Sequence, residues 1–350
     1  MEVDPLKIWV CETIREHYLK TGSCSKLLHP LIYIFLDSFL KSGIEVFYNF
    51  VTEYPSDRWT IFSDFHLDRK DKSKKNYSIT LVFSPYFPCG ELTEPIYNYL
   101  EKISPGEFKN LKKNSPYFDS FKNFLIKFPI FSISLICKKD EFKYPFALHS
   151  DISDNYEQIQ KALDISKEQQ LNDNTLKIVN CLINELSGKP HKSIKILNLW
   201  TVSQFTGILV AILKDLLFLS KKIKLKKLGY LPDRDAIYET CEGAIHQFIL
   251  NIQHSCPLSS TDTEFLCSPS TSQSEEIFGK FIAIADIITA TLADYDMEKN
   301  SLSPKAFPII EDVLTVQSKN LIYRIKKTLI TSFPFQAARI CINRKTENNI

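Results

Sequence analysis

Four acidic residues, Asp64, Glu107, Asp233 and Asp286, are spread over more than 200 positions, and each stands in a local context suited to a carboxylate ligand. Asp64 closes the run Arg58-Trp-Thr-Ile-Phe-Ser-Asp64, whose alternation and β-branched or aromatic content predict a strand. On a pleated strand Thr60, Phe62 and Asp64 share a face, so the carboxylate falls at the strand's carboxyl end. Asp233 and Asp235 follow a second short apolar run, Lys226-Lys-Leu-Gly-Tyr-Leu-Pro232. Asp235 suits an N-cap for a following helix, which leaves Asp233 as the better ligand. Asp286 interrupts the apolar stretch Ile277 to Leu292, long enough for a buried helix. A carboxylate there needs a cation or a raised pKa, since an unpaired buried charge costs several kcal/mol.

Carboxylates gathered in this way suit divalent-metal phosphoryl transfer, where acidic side chains hold ions that activate water and stabilise a leaving oxygen. Mg²⁺ and Mn²⁺ fit, because they take a few carboxylates and leave positions for substrate oxygens. Glu107 would add a fourth ligand, and Lys109 would contact substrate phosphate or the pentavalent transition state. The plain alternatives are a turn or cap role for Asp64 and Asp233, and a solvated charge for Glu107 beside Lys109. His66 reads as a proton shuttle or an ordinary surface histidine. His254, Cys256 and Cys267 lack the spacing of a tetrahedral zinc site. There is no Gly-rich phosphate loop, nucleophile elbow or HExxH pair, which argues against triphosphatase, esterase and zincin chemistry.

The elements that must position these groups follow from hydrophobic period. Residues 5–54 read as helical, with Ile8, Val10, Cys11, Ile14 and Tyr18 on one stripe. Tyr77, Ile79, Leu81 and Phe83 alternate with Ser78, Thr80, Val82 and Ser84, and the lysine-rich segment before them makes this the return strand of a hairpin. Helices are predicted at 91–103 and 116–127, a strand at Phe131 to Cys137, helices at 155–186 and 203–220, a strand ending at Asp233, and a helix at 236–253. A short strand at Thr263 to Cys267, the Asp286 helix and a last helix over Phe307 to Thr331 complete the order. The expectation is an α/β fold with a mixed five-stranded sheet, organised as a helical segment 1–56, an α/β domain 57–335 and a polar tail 336–350.

The same order resembles the ribonuclease-H-like arrangement, and more specifically the bacterial family called domain of unknown function 3800. The resemblance rests on Trp59 to Asp64, on Glu107-Phe-Lys109, on Leu231-Pro-Asp-Arg-Asp235, and on Glu264 to Ser270 followed by Ile282-Ala-Ile-Ala-Asp-Ile-Ile288. It would cover residues 57 to 330. It implies a Mg²⁺- or Mn²⁺-dependent nuclease with Asp64, Glu107, Asp233 and Asp286 as ligands, acting on DNA or RNA in bacterial defence or on mobile elements. The first motif departs from the family, with Phe65-His66-Leu67-Asp68 where glutamate, serine and glycine belong. That departure leaves a second reading, an inactive ribonuclease-H-like protein that binds protein or nucleic acid, with the N-terminal helices docking a partner.

Composition sets outer bounds. At 350 residues and 44% hydrophobic the chain can bury a large core, and 43 basic against 41 acidic residues give no global signature. Contacts to nucleic acid would come from local patches: Arg69 to Lys75, Lys109 to Lys113, or Lys221 to Lys227. Nine cysteines without a CxxC pair fit reduced thiols and a cytoplasmic setting. The stretch Leu27 to Leu40 is too short to span a membrane, and no membrane association is predicted.

Overall fold

The computed structural model describes residues 4–20, 28–68, 70–85, 93–103, 116–142, 173–186, 190–233, 243–258, 262–267, 272–299, 301–304, 308–328 and 335–342, with 145, 237, 240, 241 and 306. Glu107, Lys109 and Asp235 lie outside these residues. The helices are α1 (Pro5–Lys20), α2 (Pro30–Ser42), α3 (Ile44–Glu53), α4 (Thr93–Ile103), α5 (Pro116–Lys127), α6 (Asp173–Leu186), α7 (Pro190–Lys221), α8 (Ala244–Ser255) and α9 (Ser272–Asp294). The strands are β1 (Arg58–His66), β2 (Asn76–Ser84), β3 (Phe131–Lys138), β4 (Lys227–Pro232), β5 (Glu264–Cys267), β6 (Asn320–Lys327) and β7 (Phe335–Ile340).

The sheet has seven strands in the order β5-β4-β1-β2-β3-β6-β7, two more than the sequence suggests. β1, β2 and β3 form an antiparallel meander, so the predicted hairpin is present. β4 joins β1 in parallel, β5 joins β4 in parallel, β6 joins β3 in parallel, and β7 closes the edge antiparallel to β6. Alternate residues feed two cores. Trp59, Ile61, Ile79, Leu81, Ile133, Leu135, Tyr230 and Tyr323 face a core roofed by α1, α2, α3, α7 and α8. Phe62, Val82, Ile136, Leu231 and Ile322 face a second core with α4, α5, α9 and a π-helical turn at Ile309–Leu314. The arrangement is a sheet with helices on both faces.

The N-terminal helices belong to the first core. Val10, Cys11, Ile14 and Tyr18 of α1 are buried, the Tyr18 hydroxyl donates to Asp215 of α7 at 2.8 Å, and the His29 amide donates to Gln204 of α7 at 2.6 Å. Gly43, between α2 and α3, abuts the Tyr323 hydroxyl of β6 so closely that a Cβ would collide with it. The cut at residue 56 therefore does not divide two cores. Among the described residues helix α7 also carries the one segment, Ile194–Lys221, long and apolar enough to cross a membrane, and it is almost wholly buried. Length and composition would let it cross a bilayer, but here it is the centre of the first core.

Three expectations need correction. The helix placed over Phe307 to Thr331 is instead the π-helical turn followed by strand β6. β6 is covered on both faces, Leu321, Tyr323 and Ile325 on one and Ile322 on the other, so its sequence lost the alternation that marks a half-exposed strand. Asn320 fixes the switch: its side-chain amide donates to the carbonyls of Val313 and Val316, and its oxygen accepts from Ser132 of β3. The polar tail begins later than residue 336, because Phe335–Ile340 is strand β7, with Phe335 and Ala337 buried. Finally, Cys181 of α6 and Cys241 form a disulfide with a Cα separation of 5.4 Å, so the reduced-thiol expectation fails for this pair.

Candidate metal centre

Three of the four acidic residues meet. Asp64, Asp233 and Asp286 each offer a carboxylate oxygen, and these oxygens lie within 4.8 Å of one another. All three side chains are partly accessible to solvent. This is the only such group of His, Cys, Asp and Glu found among the described residues.

Sheet geometry brings the first two together. β1 and β4 run parallel with Phe62 beside Leu231 and Ser63 beside Pro232, and the next backbone hydrogen bond, from the Asp233 amide to the Ser63 carbonyl, is 2.8 Å. The register therefore continues past Pro232, and Asp64 and Asp233 stand side by side at the ends of adjacent strands, on the face of Phe62 and Leu231.

Asp286 arrives from α9, and β2 fixes that helix in place. The Asn76 side-chain amide donates to the carbonyls of Leu292 and Tyr295, both at 2.8 Å, and the Ser78 hydroxyl donates to the Thr289 carbonyl at 3.1 Å. The Lys75 amide donates to the Ala293 carbonyl at 2.8 Å. Thr289, fully buried one turn after Asp286, donates its hydroxyl to the Asp64 carbonyl at 3.3 Å. Midway along the helix, before Asp286, Phe281 stacks on Phe62 with centroids 5.5 Å apart. Small polar residues on this face, Ser78, Thr80 and Ser134, let the helix approach, and the Thr80 and Ser134 hydroxyls satisfy each other at 3.0 Å.

Asn76, Ser78 and Thr289 are the members of the site that sequence reading missed. A signal existed. Thr289 lies three residues from Asp286 on one helical face, and Ser78 and Thr80 repeat at strand spacing, which marks a polar sheet face beneath a helix.

The electrostatics are those of carboxylates crowded together. Protein encloses the Asp64 carboxyl although its edge keeps some solvent access, and this burial is the first cause that lifts its pKa from 3.8 to about 8. The charges of Asp286 and Asp233 add to the rise, while the Phe65 amide and the Thr289 hydroxyl oppose it. Three hard oxygen donors suit Mg²⁺ or Mn²⁺ better than a softer ion. Replacing Thr289 by valine keeps its volume and removes the bond to the Asp64 backbone. We expect about a tenfold loss of Mn²⁺ affinity by calorimetry, as for other supports of metal ligands, with the fold retained.

The other candidates fall away from the cluster. Asp68 accepts from the Lys70 amide at 2.8 Å, an Asx turn, and is not among the converging carboxylates. His66 lies 3.7 Å from Asp71 and 3.4 Å from the Lys139 ammonium, and burial, then Lys139, hold its pKa below the usual histidine value. His254 is exposed while Cys256 is buried, with its carbonyl 2.7 Å from His17, so these two do not converge on a zinc ion. Comparison of the chain with protein-family models, with curated proteins and with solved structures returned no match.

Proposed function

We propose that this protein is a divalent-metal-dependent nuclease that hydrolyses nucleic-acid phosphodiesters at Asp64, Asp233 and Asp286. The observation that carries the reading is the convergence of three carboxylates from β1, β4 and α9 within 4.8 Å. Groups so far apart in sequence, with one pKa driven up, constitute a costly arrangement that a bound cation would relieve. The metal would be Mg²⁺ or Mn²⁺, and when bound it would supply a polarised water and charge neutralisation for a phosphate oxygen. The three aspartates would hold it, and Thr289, Asn76 and Ser78 would keep the helix-borne ligand in register with the strand-borne pair.

The ribonuclease-H-like reading is supported by the strand order: an antiparallel β1-β2-β3 start, followed by crossovers that add β4 and β5 in parallel beside β1. β6 and β7 extend the sheet on the β3 side. A role in bacterial defence or on mobile elements rests on the family resemblance. A cytoplasmic setting rests on the thiol pattern, against which the Cys181–Cys241 disulfide weighs.

One feature favours the second reading, an inactive binding module. Leu6, Ile8 and Trp9 of α1 are exposed by 46%, 44% and 51%, large apolar side chains that a protein partner would cover. The two readings part in one experiment: Mn²⁺ calorimetry with cleavage of labelled DNA and RNA, comparing the wild type with Asp286→Asn. Nuclease function requires metal binding and cleavage in the wild type, with cleavage reduced at least a hundredfold in the variant. Metal-free, inactive wild-type protein would leave the binding module.

A further inference from the structure

We propose that the β1–β2 turn and the adjoining strand ends form the phosphate-binding track that delivers a nucleic-acid backbone to the three aspartates. This rests on the nuclease reading above and extends it to where the substrate lies.

Topology puts this turn at the site. β1 ends two residues beyond Asp64, at His66, and β2, antiparallel to it, begins at Asn76 on the same end of the sheet. β3 and β6 run parallel to β1, so Lys138 and Lys139, and then Lys326 and Lys327, also emerge at that end. The four strands β1, β2, β3 and β6 span roughly 14 Å at the usual strand spacing. Lysines along this rim thus form a row that starts beside the acidic cluster.

Local bonding keeps the turn's cations outward. Lys139 ties the turn down by donating to the carbonyls of Asp68 and Asp71, each at 2.7 Å. The turn's two acids are engaged with its own backbone: Asp68 with the Lys70 amide, Asp71 with the Ser73 amide and hydroxyl. Lys70, Lys72 and Lys75 are exposed and Lys74 is half-exposed. Among the described residues no acid lies within ion-pair distance of these four. Lys138 differs, being paired with Glu298 at 2.8 Å and near Asp140 at 3.8 Å.

The second basic segment, Lys221 to Lys227, leads into the amino end of β4 and so lies at the opposite end of the sheet. There Lys226 pairs with Asp57 at 2.8 Å and Lys227 with Glu264 at 3.0 Å. Of the two described patches, only the turn is both beside the aspartates and unneutralised. A row of cations suits a partner with regularly repeated anionic groups, and each lysine that contacts a phosphate releases counterions.

The test is fluorescence anisotropy with labelled single- and double-stranded DNA and RNA of mixed sequence, together with anionic phospholipid vesicles. It compares wild type, the triple variant Lys70→Gln/Lys72→Gln/Lys74→Gln, and the distal control Lys221→Gln/Lys224→Gln. Mn²⁺ calorimetry on each reports the metal site independently, and circular dichroism confirms folding. We expect the triple variant to lose at least tenfold in nucleic-acid affinity and about three units of salt slope, with the control and the Mn²⁺ affinity unchanged. If wild type binds and the triple variant binds equally, or if the control loses as much, the track is wrong while the nuclease reading stands. If wild type binds vesicles but no nucleic acid, the track and the nuclease reading both fall, even with Mn²⁺ bound.

Discussion

Asp64→Asn is expected to melt at a higher temperature than the wild type in chelator at pH 8.5, and at a lower one in saturating Mn²⁺. In the metal-free protein at this pH the wild type ionises a largely enclosed carboxyl group beside Asp233 and Asp286. Asparagine keeps the size and removes that charge, so desolvation and mutual repulsion fall together. A gain of about 1–3 kcal/mol is reasonable for relieving one such charge, a few degrees in a chain of this size. With cation at about a thousandfold excess over its dissociation constant the wild type gains about 4.1 kcal/mol, more than the relief in the variant, which forgoes this gain. The crossing of the two orders is the signature of a ligand position held at the expense of stability. Differential scanning fluorimetry measures it. If Asp64→Asn melts lower under both conditions, the carboxylate is a structural acceptor and the metal assignment for this residue fails.

The candidate site was legible in the sequence to the degree that each aspartate's surroundings were local. Asp64 sat at the end of an alternating run, Asp233 after a short apolar run, and Asp286 within an apolar helix, and these contexts were sufficient to place all three. Their gathering was an expectation from the order of the elements, but what produces it was not legible: the β1–β4 register and the contacts of Asn76, Ser78 and Thr289 with neighbouring elements. Ser78 and Thr80 read as the polar half of an alternating strand, yet every residue of β2 is buried. Burial on both faces also hid β6, whose Asn320-Leu-Ile-Tyr-Arg-Ile run carries no period that separates strand from helix. β2 is covered on both faces too, but its apolar residues alternate with small polar ones and so still announce a strand, whereas β6 is apolar on both faces and tertiary packing decides.

A pH series of wild-type stability, with and without Mn²⁺, carries the second large effect. Asp64 has a folded pKa of about 8 against 3.8 for the ordinary side chain. Between these values the folded protein keeps a proton that the unfolded chain has released, so the native state binds more protons and stability falls as pH rises. The contribution is fully present below about pH 4 and is lost as pH climbs through about 8, at a slope of at most about 1.4 kcal/mol per pH unit from this group. Mn²⁺ competes with that proton. Its affinity must therefore rise across the same window, and its binding must release close to one proton at pH 7. In chelator, melting temperature should decline from pH 5 to pH 8.5 by more than variants lacking the charge, such as Asp64→Asn, decline. In saturating Mn²⁺ the wild-type curve should flatten, so the metal-induced shift grows with pH. Calorimetry in buffers of different ionisation enthalpy counts the proton directly. Parallel wild-type curves with and without metal, and no proton released, would mean that the three aspartates do not act together on a cation.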